Sequence, residues 1–298
     1  MFEDCLFTRK FVITYFVCFL HICNATSCSP SLSFLRAVFI MMKSRYSTVE
    51  SLKIMGSASK QVIGPDIKVL LWNVFKCKRK GWQNDFTSLI DDKDLILLQE
   101  AILNSPFDEM FNHSSQHQWI MASSFKNVKS NIETGVKTGS SVVANKHFFS
   151  ASTHSEPITK TKKMVLATEY PLASTVESSL EQSLLVINTH MINFVSFEKF
   201  RAHLDQAFQA LEHHSGPILL AGDFNTWNKK RMQYFDELAM SCSLKEVNIT
   251  RQPRLGHLFR HLDHIYCRGL DITDVHVHTD IHSSDHYPIS LSLRFADD

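Results

Sequence analysis

A set of polar side chains stands where apolar runs stop or are broken, and their types suit holding a divalent cation and moving protons. Glu100 follows the run 95–99, Thr189 and His190 follow 184–188, and Gly222, Asp223, Phe224 and Asn225 follow 218–221. Asn73 interrupts 68–74, Asp263 opens 263–267, and Asp285 and His286 precede 289–295. A carboxylate is a hard oxygen ligand suited to Mg²⁺. An imidazole changes charge near neutral pH, which makes histidine the commonest general acid or base. Taken one at a time, each residue has an ordinary explanation: a strand-end Asp caps local backbone donors, and a buried His or Asn is a hydrogen-bonded core residue. Turns do not require Glu, His, Asp, Asn, Asp and His in succession beside apolar runs, so the set points to one site.

For these residues to meet, the runs must be strands that end at a common edge. The runs 68–74, 95–99, 140–144, 184–188, 218–221, 263–267 and 289–295 are short and rich in Val, Ile and Leu, as strands are. If the last strand runs antiparallel to the others, Asp285 and His286 reach the edge that carries Glu100, His190 and Asp223. Helical spacing appears at Phe197, Phe200, Leu204, Phe208 and Leu211, with a stop at Gly216-Pro217. It recurs at Trp82, Phe86, Leu89 and Ile90, and at Met232, Phe235, Leu238 and Ala239. Apolar strands interspersed with helices imply an α+β fold in which two packed sheets are covered by helices on their outer faces.

The chain has 298 residues, 44% of them hydrophobic, which is ample for a sizeable core. Its 31 basic and 30 acidic side chains leave a net charge of +1, so nucleic acid would have to be held by a local patch. Residues 11–23 are apolar apart from Thr14 and His21 and follow Arg9 and Lys10. That run is shorter than the ~20 residues of a helical membrane span, which favours an export signal cleaved after Ala25 over an anchor. Glu3, Asp4 and a second apolar stretch at 32–42 oppose this, and a start at Met41, Met42 or Met55 is the other reading. The expected organisation is a signal peptide or hydrophobic leader over 1–25, a linker or poorly ordered arm over 26–65, and one catalytic domain over 66–298. The protein is exported if the leader acts as a signal and cytoplasmic otherwise. Cys77, Cys242 and Cys267 are scattered behind the leader without metal-knuckle spacing, so neither cysteine-bound zinc nor a disulfide framework is indicated.

The runs Leu71-Trp72-Asn73-Val74, Leu97-Leu98-Gln99-Glu100, Asn188-Thr189-His190, Gly222-Asp223-Phe224-Asn225, Leu262-Asp263-His264-Ile265 and Ser284-Asp285-His286 resemble the successive motifs of the endonuclease/exonuclease/phosphatase superfamily. That superfamily includes pancreatic-type DNase, abasic-site endonucleases, neutral sphingomyelinases and inositol-polyphosphate phosphatases. The stretch from His214 through Trp227, with Arg231-Met232 and Tyr266-Cys267-Arg268-Gly269-Leu270, is similar to a bacterial branch of YafD-like proteins. The resemblance implies a DNase I-like four-layer α/β/β/α sandwich and hydrolysis of a phosphate ester with Mg²⁺ or Mn²⁺. No obligatory protein partner is evident, and a monomer is expected.

In-line cleavage of a phosphate ester needs an activated water, counter-charge for the phosphoryl oxygens and help for the leaving oxygen. Glu100 is assigned to the metal, with Asn73 and Asp285 completing the metal and phosphate surroundings. Asp223 orients the attacking water and Asn225 donates to a phosphate oxygen. His286 is the general base or a phosphate donor, its ring held by Asp263. The resemblance gives His190 the transition state or leaving group, and Glu156 is a candidate to orient it. The run Lys160, Lys162 and Lys163 is a solvated loop or a phosphate clamp. An endonuclease- or exonuclease-type phosphodiesterase leads. A phospholipid or phosphoinositide phosphoesterase, or an inactive binding protein on the same fold, is the alternative.

Overall fold

Strands buried along their whole length decide the architecture, because each must be covered on both faces. In chain order the strands are β1 (Tyr46–Gly56), β2 (Asp66–Asn73), β3 (Leu95–Leu103), β4 (Gln118–Asn127), β5 (Glu133–Ser140), β6 (Lys146–Ala151), β7 (Met164–Pro171), β8 (Ser183–His190), β9 (Ile218–Asp223), β10 (Lys245–Glu246), β11 (Asp263–Arg268), β12 (Leu270–Val277) and β13 (Ile289–Phe295). The helices are α1 (Trp82–Ile90), α2 (Asp108–Asn112), α3 (Phe197–Gln209) and α4 (Lys229–Ser241). This is a computed structural model that describes residues 46–173, 183–249 and 262–296. Every residue of β3 and of β9 is buried. One sheet has the order β1-β4-β5-β3-β2-β13-β12 and the other β10-β11-β9-β8-β7-β6.

Alternation along the central strands sorts their side chains between layers. Val69, Leu71, Leu95 and Leu97 of the first sheet pack against Leu184, Val186, Leu219 and Ala221 of the second. Their neighbours Leu70, Trp72, Ile96 and Leu98 face outward onto Trp82 and Phe86 of α1 and Phe111 of α2. On the far side Leu185, Ile187 and Leu220 face Phe200, Leu204 and Phe208 of α3 and Phe235 of α4. The result is the expected four-layer α/β/β/α sandwich of the DNase I type. β13 pairs antiparallel with β2, which meets the condition for bringing Asp285 and His286 to the common edge.

Several expected boundaries change. Residues 46–56 form the edge strand β1 against β4, and Lys60 and Ile63 bridge to Val142 and Leu172, so the expected linker over 26–65 is folded from Tyr46 onward. An edge strand has one neighbour and a half-exposed surface, so its polar composition resembles that of a linker. The leader at 1–25 and the arm up to residue 45 lie outside the described residues. The expected strand at 140–144 is instead β5, over Glu133–Ser140, with Val142 in an isolated bridge. The helix expected to run to Gly216-Pro217 ends at Gln209, where the chain tightens into turns such as Leu211 N to Phe208 O at 2.9 Å.

Two polar features are buried in the layers, one between the sheets and one on the outer face of the first sheet. The Gln99 side chain on β3 donates to Asn188 Oδ1 on β8 at 2.7 Å, and Asn188 Nδ2 donates back to the Lys137 carbonyl at 3.1 Å and to Thr138 Oγ1 at 3.2 Å. These hydrogen bonds join strands of the two layers at a buried position and favour one register between them. Lys137 on β5 is fully buried: its ammonium donates to the Ile102 carbonyl at 3.0 Å and lies 3.4 Å from the centre of the Phe111 ring.

Burial pulls the Lys137 pKa down to about 7. The unfolded chain therefore holds this proton between about pH 7 and the ordinary lysine value while the fold releases it. The cost of burying the lysine is full below pH 7 and shrinks as pH rises. Lys137→Met is expected to raise the melting temperature more at pH 6.5 than at pH 9.5 in paired calorimetric scans. An equal gain at both values would contradict a titrating buried ammonium.

Candidate active site

Cross-strand register brings the second sheet's polar residues into one row. His190 at the end of β8 is opposite Asp223 at the end of β9, and Asp223 is opposite Asp263 at the start of β11. Gly222 permits this: a Cβ there would sit 1.9 Å from the Thr189 carbonyl oxygen on β8. On the first sheet Asn73 at the end of β2 pairs with Gln99 of β3, beside Glu100. The loop before β13 is tied to this edge, with Ser284 Oγ donating to the Asn73 carbonyl at 2.5 Å and Trp72 Nε1 to the His286 carbonyl at 3.1 Å. Arg79 donates to the carbonyls of His282 and Ser284 in the same loop.

Asp223 is the centre of the arrangement. Its Oδ2 accepts from Asn73 Nδ2 at 3.0 Å and lies 3.5 Å from His190 Nε2 and 3.8 Å from His286 Nε2. Its Oδ1 accepts from the Asn225 amide at 3.2 Å. Both Asp263 oxygens lie 2.9 Å from His286 Nδ1. A carboxylate only accepts, so Nδ1 carries a proton and Nε2 is the atom turned toward Asp223. Burial alone would lower the His286 pKa, but the charge and hydrogen bond of Asp263, with the charges of Asp223 and Asp285, raise it to about 10. Burial, aided by the Asp263 charge, pushes Asp223 up to about 7 against the pull of His286, Lys163 and Asn73. Burial and then the Lys163 charge hold His190 well below its ordinary value, so its ring is neutral.

Glu100 departs from expectation. β3 continues past it to Leu103, and Glu100 sits at a bulge between Gln99 and Ala101 with φ of 52°. The bulge re-aims one side chain within a buried strand. The Glu100 Oε2 holds the Lys76 ammonium at 2.7 Å, and the two side chains are 9% and 17% exposed. Lys76 belongs to a turn in which Phe75, Lys76 and Cys77 all have positive φ, at 48°, 56° and 53°. Left-handed backbone costs a residue with a side chain roughly 1–2 kcal/mol, and such strain clusters at functional sites.

A buried carboxylate that already holds a cation fits a divalent ion, since Mg²⁺ takes one or two carboxylates and water. Asp223, Asp263 and His286 also bring ligand atoms within 4.8 Å of one another. An ion there would compete with the two hydrogen bonds from His286 to Asp263, so that trio suits proton handling better.

The remaining candidates divide. Asn73 links the sheets, its Oδ1 accepting from the Phe75 amide at 3.1 Å. Asn225, with φ of 51°, donates through Nδ2 to the Met191 carbonyl at 2.9 Å, which occupies one of its two N–H bonds. The buried Arg231 braces this loop, donating to the carbonyls of Asn225 and Val195 at 2.9 Å each. Asp285 is half-buried, and its charge acts on His286. Glu156 does not orient His190: it accepts from the Asn193 amide and from the hydroxyls of Thr159 and Thr161, and lies 3.6 Å from Lys163 Nζ. Within the lysine run, Lys162 pairs with Glu50, while Lys163 is buried and lines a recess with His190, Ser124 and Thr134. Lys76 lies outside the motifs quoted above, and Ser284 and Trp72 stand within them without a role assigned, though both tie the loop before β13 to β2.

A model of the Endonuclease/Exonuclease/phosphatase family matches residues 70–286. A UPF0294 protein of Erwinia tasmaniensis is 31% identical over 231 residues, covering 77% of this chain and 82% of that protein. A UPF0294 protein of Klebsiella pneumoniae is 32% identical over 228 residues, covering 76% and 82%. Among solved structures, an endonuclease/exonuclease/phosphatase from Beutenbergia cavernae superposes with a TM-score of 0.55 at 15% identity, covering 78% of this chain and 72% of that one. The human Nocturnin catalytic domain with bound sulfate gives 0.54 at 14% identity, covering 84% and 98%. A family match that spans most of the fold and contains the site from Asn73 to His286 means that this chain belongs to the endonuclease/exonuclease/phosphatase family, with the UPF0294 proteins among its relatives.

Proposed function

We propose that the protein is a divalent-cation-dependent phosphodiesterase whose substrate is a nucleic acid strand. The observation that carries this is the buried Asp223 carboxylate, with Asn73, His190 and His286 converging on one oxygen beside the cation-holding Glu100. A Mg²⁺ or Mn²⁺ ion held by Glu100, with Asn73 and Asp285, would supply counter-charge to the phosphoryl oxygens. Asp223, raised toward neutrality, takes the proton of the attacking water. His286, kept protonated by Asp263, donates from Nε2 to a phosphoryl oxygen; this favours the phosphate-donor role over the general base. His190 and Asn225 complete the donors around the phosphate, and the buried Lys163 adds fixed positive charge beside His190.

Two exposed aromatic rings support a nucleic acid. Phe194 is 64% exposed and Trp227 39% exposed, on the loops that follow His190 and Asn225. Asn193 Oδ1 accepts from the Phe194 amide at 2.8 Å and from Trp227 Nε1 at 3.1 Å, which couples the two loops. Exposed rings beside a phosphate site offer faces on which bases stack, worth about 1–3 kcal/mol per base.

Asp223→Ala and His286→Ala should each lower turnover by about a hundredfold, since each removes a proton-handling group. Circular dichroism should show the fold intact, and wild-type rates in either variant would remove that residue from the mechanism.

Asp263 raises the His286 pKa, so its loss lowers it. In Asp263→Asn the protonated ring is lost at lower pH, and the alkaline limb of the kcat/KM profile is expected to move down while Mn²⁺ affinity is kept. An unmoved limb would return Asp263 to the scaffold.

A panel of plasmid DNA, RNA, sphingomyelin vesicles and phosphoinositides tests the substrate. Turnover is expected on DNA or RNA, with Phe194→Ala raising KM about tenfold at unchanged kcat. Hydrolysis confined to the lipids would overturn the nucleic acid assignment.

A further inference from the structure

Lys76 lies outside the family motifs, yet its ammonium is 2.7 Å from the Glu100 carboxylate. The turn that carries it is anchored to both strands of that half of the site. The Phe75 amide donates to Asn73 Oδ1 at 3.1 Å, the Val74 amide to the Gln99 carbonyl at 2.9 Å, and the Cys77 amide to the Val74 carbonyl at 2.8 Å. Three successive residues are held in left-handed backbone, and none of them is glycine. A flexible surface lysine would need no such turn. The charge of Lys76 is also felt at His190 across the site.

A carboxylate oxygen in contact with an ammonium cannot take a divalent cation at the same place without strong like-charge repulsion. An ion bound by Glu100 must therefore displace Lys76, and the displaced ammonium then needs another anion. A phosphate group at the site is such an anion, since charge-assisted hydrogen bonds from lysine to phosphate are among the stronger polar contacts.

We propose that Lys76 is a tethered competitor for the divalent cation at Glu100 that turns to the substrate phosphate once the cation is bound, so that metal and phosphate promote each other's binding through this one side chain. The proposal rests on Glu100 being the metal ligand. Thermodynamic linkage requires the coupling to be reciprocal: phosphate that engages Lys76 frees Glu100 for the ion, and the ion frees Lys76 for phosphate.

Binding of Mn²⁺ to the full-length chain, followed by electron paramagnetic resonance with and without inorganic phosphate, tests this without any turnover. Lys76→Met should bind Mn²⁺ about five- to tenfold more tightly than the wild type in phosphate-free buffer, within the usual range of such couplings. Phosphate should strengthen Mn²⁺ binding less in Lys76→Met than in the wild type. Lys76→Arg keeps the charge and grips a carboxylate with a planar fork, so its Mn²⁺ affinity should fall below that of the wild type. Lys78→Met, which removes an exposed charge two residues away, should leave Mn²⁺ binding unchanged. Unchanged or weaker binding in Lys76→Met, or equal tightening in Lys78→Met, overturns the competition. Glu100→Gln separates the two levels. If it loses Mn²⁺ while Lys76→Met behaves as wild type, only the role of Lys76 fails. If it binds Mn²⁺ as the wild type does, the metal assignment fails and the Lys76 proposal with it.

Discussion

An ionised carboxylate buried to 3% exposure is unfavourable unless donors and positive charge surround it, and the geometry around Asp223 follows from that constraint. Asn73 reaches it from the other sheet, His190 from the neighbouring parallel strand, His286 from the loop before the last strand, and the Asn225 amide from its own turn. Each of these groups arrives from a different part of the chain, so Asp223 is surrounded by them only when both sheets and that loop are in place. The same requirement leaves Asp223 hard to ionise and His286 hard to deprotonate. Groups with pKa values pushed toward and past neutrality in opposite chemical roles are what acid and base work at one centre needs.

The two sheets contribute differently. The second sheet supplies the row of His190, Asp223 and Asp263 through strand register alone. The first sheet supplies Glu100 through a bulge and Lys76 through a left-handed turn, both departures from regular backbone. Gln99 and Asn188 join the layers next to the site, so Glu100 on one sheet and the row of His190, Asp223 and Asp263 on the other are tied together. In-line hydrolysis, the reaction proposed for this site, would need these groups held in fixed relation.

Much of this was legible in the sequence. β13 and α1 fall where the apolar spacing puts them, and the row of His190, Asp223 and Asp263 follows from apolar runs that end in polar residues. Other parts depend on tertiary context. β5 contains Gly135, Gly139 and the buried Lys137, so its composition conceals a central strand. Glu100 seemed to end a strand because the polar pair Gln99-Glu100 breaks the apolar run, and a bulge inside a strand that continues to Leu103 leaves no mark in composition. The left-handed turn at Lys76 contains no glycine to announce it, and the hydrogen bonds from Ser284 to Asn73 and from Trp72 to His286, which tie the loop before β13 to β2, join residues more than two hundred positions apart. Glu156 was matched to His190 by proximity in the sequence, yet its carboxylate holds Asn193 and Lys163 instead.

Division of the site into a half that holds the cation and a half that handles protons is the central claim, and the position of the ion decides it. Crystals grown with Mn²⁺ and measured at a wavelength where manganese scatters anomalously would locate the ion directly. A peak against the Glu100 carboxylate, with the hydrogen bonds from His286 to Asp263 intact, is the predicted result. A peak among Asp223, Asp263 and His286 would contradict it, because those residues would then be metal ligands and the proton-handling role given to them would be lost.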